Sequence, residues 1–381
     1  MSIEVTEKER VVVGMSGGVD SSVAASLLVE AGYDVIGITL KVWPQDCVSR
    51  AEDKCCGPQA VADARGVAHA LGAPHYVIDE AGEFEKLVID YFSREYKAGR
   101  TPNPCVMCNQ ELKFGNLLQK ARRLGATKIA TGHYARIQPG RSGASVLHRA
   151  VDRHKDQSYF LFSLSEEQLQ PILLPLGGLT KPEVRAHAKK MGLKTYDKEE
   201  SQEICFVPGN DYKDFLKSHL GEDSFHPGGI FNLAGERIGE HEGIEFYTVG
   251  QRKGLNLGGG TGQPLYVVDI DPASQSVIVG GYDDLVRPEC YLSQTNWPDG
   301  EPGEAMEITA KVRHNFPEVR ARLHPLPNRR ARLEFLEPQR AISPGQAGVC
   351  FDGDRVLGGG WIERTEPAAA PATAAKVAVA S

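Results

Sequence analysis

No stretch of this 381-residue chain holds the roughly 18 consecutive apolar residues of a membrane span, which argues against a helical membrane protein. The opening Met1-Ser2-Ile3-Glu4-Val5-Thr6-Glu7-Lys8 lacks the basic start and apolar core of a secretory signal. A cytoplasmic protein with no membrane partner is expected. Positive charge is also short: 43 Lys and Arg stand against 50 Asp and Glu, a formal net charge of −7. Composition alone therefore does not announce a nucleic-acid binder. Two familiar phosphate motifs are missing from the first glycine-rich turn. No Gly-Lys-Ser/Thr closes a P-loop there, and no Gly-x-Gly-x-x-Gly dinucleotide fingerprint follows the first apolar run. A second Cys-x-x-Cys is lacking too, so Cys105–Cys108 cannot complete a zinc ribbon. Eight cysteines in such a chain point to chemistry or burial rather than to a disulfide framework.

What that first turn does contain is Val11-Val12-Val13-Gly14-Met15-Ser16-Gly17-Gly18-Val19-Asp20-Ser21-Ser22, leading into Val23-Ala24-Ala25-Ser26-Leu27-Leu28. An apolar run ends in a small, hydroxyl-rich loop, and an amphipathic helical pattern follows. Gly17 and Gly18 let the backbone turn tightly, and the following amides face a helix N-terminus where an anion is welcome. Ser16, Ser21 and Ser22 add hydroxyls. The stretch reads as a phosphate cradle.

Residues 10–135 alternate strand signals (Val11–Gly14, Asp34–Val42, His75–Ile78, Lys128–Gly132) with helical ones (Asp20–Ala31, Pro58–Leu71, Glu83–Lys97, Asn109–Leu124). Repeated βα units predict a doubly wound parallel sheet with the ligand at the carboxyl ends of its strands. The Ser16–Ser22 loop and Thr131-Gly132-His133-Tyr134 both fall at such ends and are expected to share a pocket. A further helix is predicted over Lys181–Met191. From about Gly209 glycines become dense and strands short (Gly229–Asn232, Ile244–Thr248, Pro264–Asp269, Val277–Gly280). Later runs at Ala305–Val312, Ala331–Phe335 and Val349–Phe351 suggest a small β-barrel or sandwich. The division is 1–208 catalytic, 209–283 small mixed domain, 284–364 barrel, and a disordered Ala/Pro-rich tail over 365–381.

Pro102 and Pro104 predict a rigid, exposed turn before Cys105-Val106-Met107-Cys108, with helix resuming at Asn109. Cys108 would then sit at a helix N-terminus that favours its thiolate, aided by Arg100 and Lys113. Cys205 alone reads as a buried cysteine on a strand, Cys290 and Cys350 as core, and Cys47, Cys55 and Cys56 as loop or structural residues. Between Lys311 and Arg340, eight basic residues face three acids, a local excess of five. It reads either as a solvated β face or as a nucleic-acid surface.

Five motifs in one order then carry a resemblance: the Ser-Gly-Gly-Val-Asp-Ser loop, Thr101-Pro102-Asn103-Pro104-x-x-x-Cys108-Asn109, Ala130-Thr131-Gly132-His133-Tyr134-Ala135-Arg136, Lys155-Asp156-Gln157-Ser158-Tyr159 and Ser201-Gln202-Glu203-Ile204-Cys205-Phe206. Thr248-Val249-Gly250-Gln251-Arg252-Lys253-Gly254-Leu255 and Ser343-Pro344-Gly345-Gln346-Ala347 extend it. Over about residues 9–364 the chain resembles the tRNA-specific 2-thiouridylases (the MnmA family). These carry a pyrophosphatase-loop sheet domain of the adenine nucleotide alpha hydrolase-like type, a small mixed domain and a C-terminal β-barrel that binds tRNA.

The resemblance implies ATP-dependent sulfuration at C2 of a wobble uridine in tRNA. It assigns ATP to Gly14, Met15, Ser16, Gly17, Gly18, Val19, Asp20 and Ser21, with Leu40 and Gly132 near the adenosine and magnesium near Asp20. Cys205 would carry a persulfide from a sulfur-relay donor protein, and Cys108 would act as the second thiol. Asn103, Pro104 and Cys105 would touch the extruded base. His133, Lys155, Asp156, Gln157, Arg313, His314 and Gln346 would contact tRNA. A monomer or weak oligomer is expected. Many family members carry Asp where this chain has Cys105, so the acid–base role of that position does not transfer. The change opens an alternative in which Cys105, Cys108 and Cys205 hold an iron–sulfur cluster. Two other readings differ in class: another adenylating synthetase with the same loop, and a nucleotide-sensing RNA-binding module without chemistry.

Overall fold

A computed structural model describes residues 8–42, 57–140, 143–193, 195–197, 204–207, 209, 211–255, 257 and 264–363. The loop cysteines Cys47, Cys55 and Cys56 and the tail after 364 lie outside the described residues. Five parallel strands form the first sheet: β1 (Arg10–Gly14), β2 (Asp34–Lys41), β3 (His75–Asp79), β4 (Lys128–Ala130) and β7 (Ile172–Leu173), in the order β3-β2-β1-β4-β7. Helices α1 (Val19–Glu30), α2 (Pro58–Ala70), α3 (81–97), α4 (104–123) and α5 (Lys181–Lys190) accompany them. Val12 packs into one apolar cluster with Leu117 and Ala121, while Val11 and Val13 pack into another with Val23 and Ala64. Burial on both faces explains why this strand reads as an unbroken apolar run. The expected doubly wound parallel sheet is present. Its strand order reverses at β1, so the crevice between β1 and β4 is where a ligand belongs.

Short strands β8 (Gly228–Asn232), β9 (Arg237–His241), β10 (Tyr266–Asp271) and β11 (Ser276–Gly280) make a four-stranded mixed sheet in the order β10-β11-β8-β9. The strand expected over Ile244–Thr248 is instead a tight helical turn, Ile244–Phe246, whose three residues are all buried. A short apolar run does not distinguish a strand from a buried wedge.

The last unit closes on itself. Strands β12 (Val286–Asn296), β13 (Met306–Lys311), β14 (Val319–Leu326), β15 (Arg330–Arg340), β16 (Ala347–Asp352) and β17 (Arg355–Ile362) pair in the order β12-β15-β14-β13-β16-β17, and β17 pairs back to β12. The expected barrel is therefore a closed one. Closure needs small residues: a side chain at Gly359 would strike the Gly348 carbonyl. A hairpin that the sequence did not reveal, β5 (Ala135–Pro139) and β6 (Ser145–Arg149), joins β17 of the barrel. One sheet thus crosses the expected boundary between the first and last units. Among the described residues no helix is long and apolar enough to cross a membrane.

Candidate functional site

The cradle is built at the carboxyl end of β1. Met15 is buried, donates its amide to the Ile38 carbonyl at 2.8 Å, and accepts the Thr39 hydroxyl at 2.8 Å. Gly17 has a φ of +70°, and a side chain there would collide with the Ala60 carbonyl of α2. Ser16 is exposed, but its amide donates to the Ser21 Oγ at 3.2 Å. Ser21 and Ser22 donate their hydroxyls to the Gly18 carbonyl at 3.2 and 2.8 Å, and Ser22 is fully buried. The hydroxyl of Ser22 thus shapes the loop and is not a ligand donor, a correction to the sequence reading. Gly14 and Gly18 line the turn, and Val19 anchors it in the core below. Leu40 lies near the end of β2, half-buried. A Cβ at Gly132 would lie 2.6 Å from the Asp20 carbonyl carbon and the Ser21 nitrogen, so the loops after β1 and β4 touch. The two expected halves do share one place.

Asp20 does not stand alone in that place. Tyr134 donates its hydroxyl to Oδ1 at 2.8 Å, and the Lys181 ammonium donates to Oδ1 and Oδ2 at 2.7 and 2.9 Å. The sequence reading placed Tyr134 in the pocket loop without a role of its own and Lys181 only at the head of a helix. A signal existed for Lys181: a lysine in the first turn of a helix opposes the helix dipole and calls for a reason.

The thiols lie further along. Helix α4 begins at Pro104, whose fixed φ suits the first helical position. Pro102, Asn103 and Pro104 are buried, so the expected exposed turn is a buried helix start. Cys108 accordingly sits a full turn inside the helix, where a π-helical stretch, Cys108–Asn116, begins. The first-turn thiol is Cys105, which is exposed. Arg100 is held by Glu95 at 2.7 Å, and Lys113 donates to Asn109 at 3.0 Å. Cys205 lies in a turn rather than on a strand. Cys108 and Cys205 are both half-buried against a single apolar cluster that contains Phe84, Phe92, Leu112 and Phe206. Phe206 is the anchor beside Cys205, edge-on to Phe84 at 5.6 Å, Phe92 at 5.1 Å and Phe215 at 5.2 Å.

Among the described residues no three His, Cys, Asp or Glu side chains gather as metal ligands. Cys105, Cys108 and Cys205 thus do not form the three-thiolate nest that a cluster requires. Cys105 is exposed while the other two rest against the apolar core. Cys290 and Cys350 are fully buried in the barrel, as expected, and burial pushes the Cys350 thiol up to about 12.

The remaining expected residues converge where the first unit meets the barrel. Gln346 is nearly buried and donates to the Thr101 and Pro102 carbonyls at 3.1 and 3.0 Å, pinning the chain just before Asn103. Arg313 donates to the Ser343 hydroxyl at 2.8 Å. The His314 ring lies tilted against Phe160 at 4.3 Å, two residues past the Ser158 that follows Gln157. Gln157 accepts the Tyr134 amide at 2.9 Å and donates its own to the Tyr134 carbonyl at 2.8 Å. Asp156 is buried, and its carboxylate accepts from the Ala150 amide and the Ser158 amide and hydroxyl. Lys155 is half-buried and donates its amide to the Asp152 carbonyl. His133 contacts the Thr131 hydroxyl at 2.8 Å, and burial holds its pKa well below 6.5, with Lys113 adding to the effect. Beside this region, Arg149, Arg153, Asp156, Lys311, Glu318 and Asp354 line a cleft of about 340 Å³.

The basic window 311–340 looks different in space. Arg320 meets Glu307, Arg330 meets Glu363, Arg332 meets Glu289 and Arg340 meets Asp283, all acids from outside the window. These exposed pairs are weak and open readily to a competing phosphate.

Three family models match the chain in succession: tRNA methyl transferase HUP domain over residues 9–209, tRNA methyl transferase PRC-barrel domain over 213–281, and aminomethyltransferase beta-barrel domain over 287–362. A protein described as tRNA-specific 2-thiouridylase MnmA from Moorella thermoacetica is 52% identical over 357 residues, covering 92% of this chain and 98% of its own. Its namesake in Heliobacterium modesticaldum is 50% identical over 360 residues, covering 94% and 93%. That of Geobacter metallireducens is 49% identical over 364 residues, covering 94% and 98%. With half its residues shared over nearly its whole length, the chain belongs to the tRNA-specific 2-thiouridylase MnmA family.

Proposed function

We propose that this protein is an ATP-dependent tRNA sulfurtransferase that converts the wobble uridine of tRNA to 2-thiouridine in the cytoplasm. The observation that carries the reading is the placement of Cys108 and Cys205 against one apolar core, beside a helix start that Gln346 clamps. An amidotransferase-type synthetase has no use for that pair of thiols.

Residues Gly14–Ser21 hold the nucleotide phosphates through a tight turn and the N-terminus of α1. The tight φ of Gly17 and the contact of Gly132 with Asp20 and Ser21 fit a backbone cradle. Leu40 and Gly132 flank the adenosine. The Asp20 carboxylate, 30% exposed, is a hard ligand suited to magnesium, which when bound screens the phosphate charge. The uridine O2 attacks the α-phosphorus, the α–β bond breaks, and pyrophosphate departs with the electron pair. The terminal sulfur of a Cys205 persulfide, loaded by a sulfur-relay protein, then attacks C2 and AMP leaves. Attack of the Cys108 thiolate on the Cys205 sulfur releases the thiocarbonyl and leaves a Cys108–Cys205 disulfide, which a two-electron reductant resets. In the other order, Cys108 attacks the persulfide first and the liberated sulfide attacks C2.

Asn103, Pro104 and Cys105 lie at the clamped helix start where an extruded base would be read. His133, neutral because of its burial, receives tRNA without adding charge. Lys155 and Gln157, with Asp156 as their internal brace, extend the surface toward Arg313 and His314. The test combines unmodified tRNA, ATP, magnesium and a persulfide donor, with 2-thiouridine read by mass spectrometry and AMP scored in parallel. Wild type yields both products, whereas Cys108→Ser and Cys205→Ser lose 2-thiouridine. Undiminished thiolation by either variant overturns the mechanism.

A further inference from the structure

Two cysteines share the start of one helix but not one environment. Cys105 and Cys108 stand three residues apart at the head of α4, where Pro104 takes the first helical position. Residues three apart on a helix are neighbours on its surface, and Cys-x-x-Cys is a spacing that supports thiol–disulfide chemistry. Cys105 is exposed, whereas Cys108 and Cys205 are half-buried against the apolar cluster of Phe84, Phe92, Leu112 and Phe206. The turn that carries Cys105 is fixed from behind: Pro102, Asn103, Pro104 and Val106 are buried, and Gln346 donates to the Thr101 and Pro102 carbonyls. At Cys108 the helix passes from α to π winding, a local widening frequent at functional sites. A disulfide between Cys108 and Cys205 would lie against the apolar cluster, where a protein-sized reductant reaches it poorly.

We infer that Cys105 is the resolving thiol that reopens the Cys108–Cys205 disulfide left by each round of sulfur transfer. The inference rests on the persulfide route to 2-thiouridine. The Cys105 thiolate attacks the Cys108 sulfur. The Cys108–Cys205 bond breaks, its electron pair leaves with the Cys205 sulfur, and Cys205 takes up the proton that Cys105 gave up. No electrons enter at this step, and the disulfide has moved to Cys105–Cys108, with one sulfur now exposed. An external dithiol then attacks the Cys105 sulfur and Cys108 leaves as thiolate. The second thiol of the reductant releases Cys105 as the reductant's own disulfide forms, so both electrons come from the dithiol. Cys205 is thereby free for the next persulfide while Cys108 is still being reduced. A thiol held on the same turn makes the first exchange intramolecular, which spares it an encounter.

The test follows the thiols of the full chain through a single turnover with tRNA, ATP, magnesium and a stoichiometric persulfide donor. Samples are quenched in acid, alkylated and mapped by peptide mass spectrometry before any reductant is added. The Cys108–Cys205 disulfide should appear first and the Cys105–Cys108 disulfide should replace it. In Cys105→Ser the first disulfide should persist, and reduced thioredoxin should clear it about ten-fold or more slowly than it clears the wild-type disulfide. Counting disulfides per 2-thiouridine keeps the comparison independent of any loss of base binding in the variant. A wild type that accumulates Cys108–Cys205 and never Cys105–Cys108 overturns the inference, as does equal clearance of the two proteins by thioredoxin. Iron held by all three thiolates in the purified chain overturns it too. Should Cys105→Ser not fold, Cys205→Ser supplies an independent reading: its Cys105–Cys108 pair should close and open as a two-electron couple in dithiothreitol redox buffers. A pair that never closes counts against the inference. Formation of 2-thiouridine with no disulfide at any stage removes the persulfide reading itself, whereas a Cys108–Cys205 disulfide that is never passed on removes only the role of Cys105.

Discussion

Truncating Phe206 to Ala would separate the sulfur half of the reaction from the adenylating half. Phe206 is 1% exposed and meets three rings edge-on at 5.1–5.6 Å. Phe-to-Ala changes in such cores cost about 3–5 kcal/mol, a large share of the stability of an ordinary domain. The loss falls on the cluster of α3 and the Cys205 turn, because the cradle packs into a different cluster with Val11, Val13 and Val23. Cys205 would lose the neighbour that fixes it, and a displacement near 1 Å suffices to slow an oriented reaction on the order of 100-fold. Nucleotide affinity should stay within about two-fold, since no cradle group moves. The assay is the ratio of 2-thiouridine formed to AMP released in a single turnover, with Phe206→Leu alongside. Leu keeps most of the volume and forfeits only the ring pairs, about 0.5–1.5 kcal/mol each, so its ratio should lie between those of Phe and Ala. A Phe206→Ala protein that is destabilised by about 3 kcal/mol yet keeps the wild-type ratio would show that Phe206 holds the fold but not the thiol.

Native-state alkylation followed by peptide mass spectrometry should label the exposed Cys105 first and leave Cys290 and Cys350 untouched, because burial pushes both of the latter thiols up; labelling of Cys350 in folded protein would contradict this. Burial lowers the pKa of His75, His133, His148, His241 and His314 below 6.5, so the unfolded chain takes up protons first as pH falls. Their stability contribution is full above about pH 7.5 and declines as pH drops below 6.5, and a melting temperature level from pH 7.5 to 5.5 would disprove it. Gln346→Ala should strip the buried Pro102 carbonyl of this donor, at about 1–3 kcal/mol, and the half-buried Thr101 carbonyl at less, and raise hydrogen exchange over residues 101–109. Unchanged exchange there would mean that the clamp is not made. Gly17→Ala should abolish nucleotide binding, since the new methyl meets the Ala60 carbonyl at a positive φ; wild-type affinity would show that the loop is not this tight.

Much of the first unit was legible because its information is local. Apolar runs bounded by Gly or Pro marked the parallel strands, and small residues after Val13 marked an anion turn before α1. The closed barrel was only partly legible. Arg355–Ile362 was not among the predicted strands, and the bareness of its Gly358, Gly359 and Gly360 is what lets β17 lie against β16 and β12. Strand β14 pairs with its neighbours β13 and β15, and β5 with β6, but none of them carries a clean enough alternation to mark it, and the pairing of β6 with β17 joins His148 to the distant Arg355. Pro104 misled for a similar reason, since a proline that forbids the interior of a helix favours its first position, and only the neighbours decide which applies.

By itself, the sequence determined the alternating strands and helices of the first sheet and the phosphate turn and, through the resemblance its motifs carry, pointed to the two thiols and the family to which they belong. The first two follow from residue type and spacing along the chain. Only the tertiary structure decided that Lys181 neutralises Asp20, that Phe206 beside Cys205 packs on Phe84 and Phe92, and that Gln346 reaches from the barrel to residues 101 and 102. It also decided that Arg320, Arg330, Arg332 and Arg340 meet acids outside their own stretch. Those partners lie tens to hundreds of residues apart, and a charge or ring carries no mark of its partner until packing brings the two within a few ångströms.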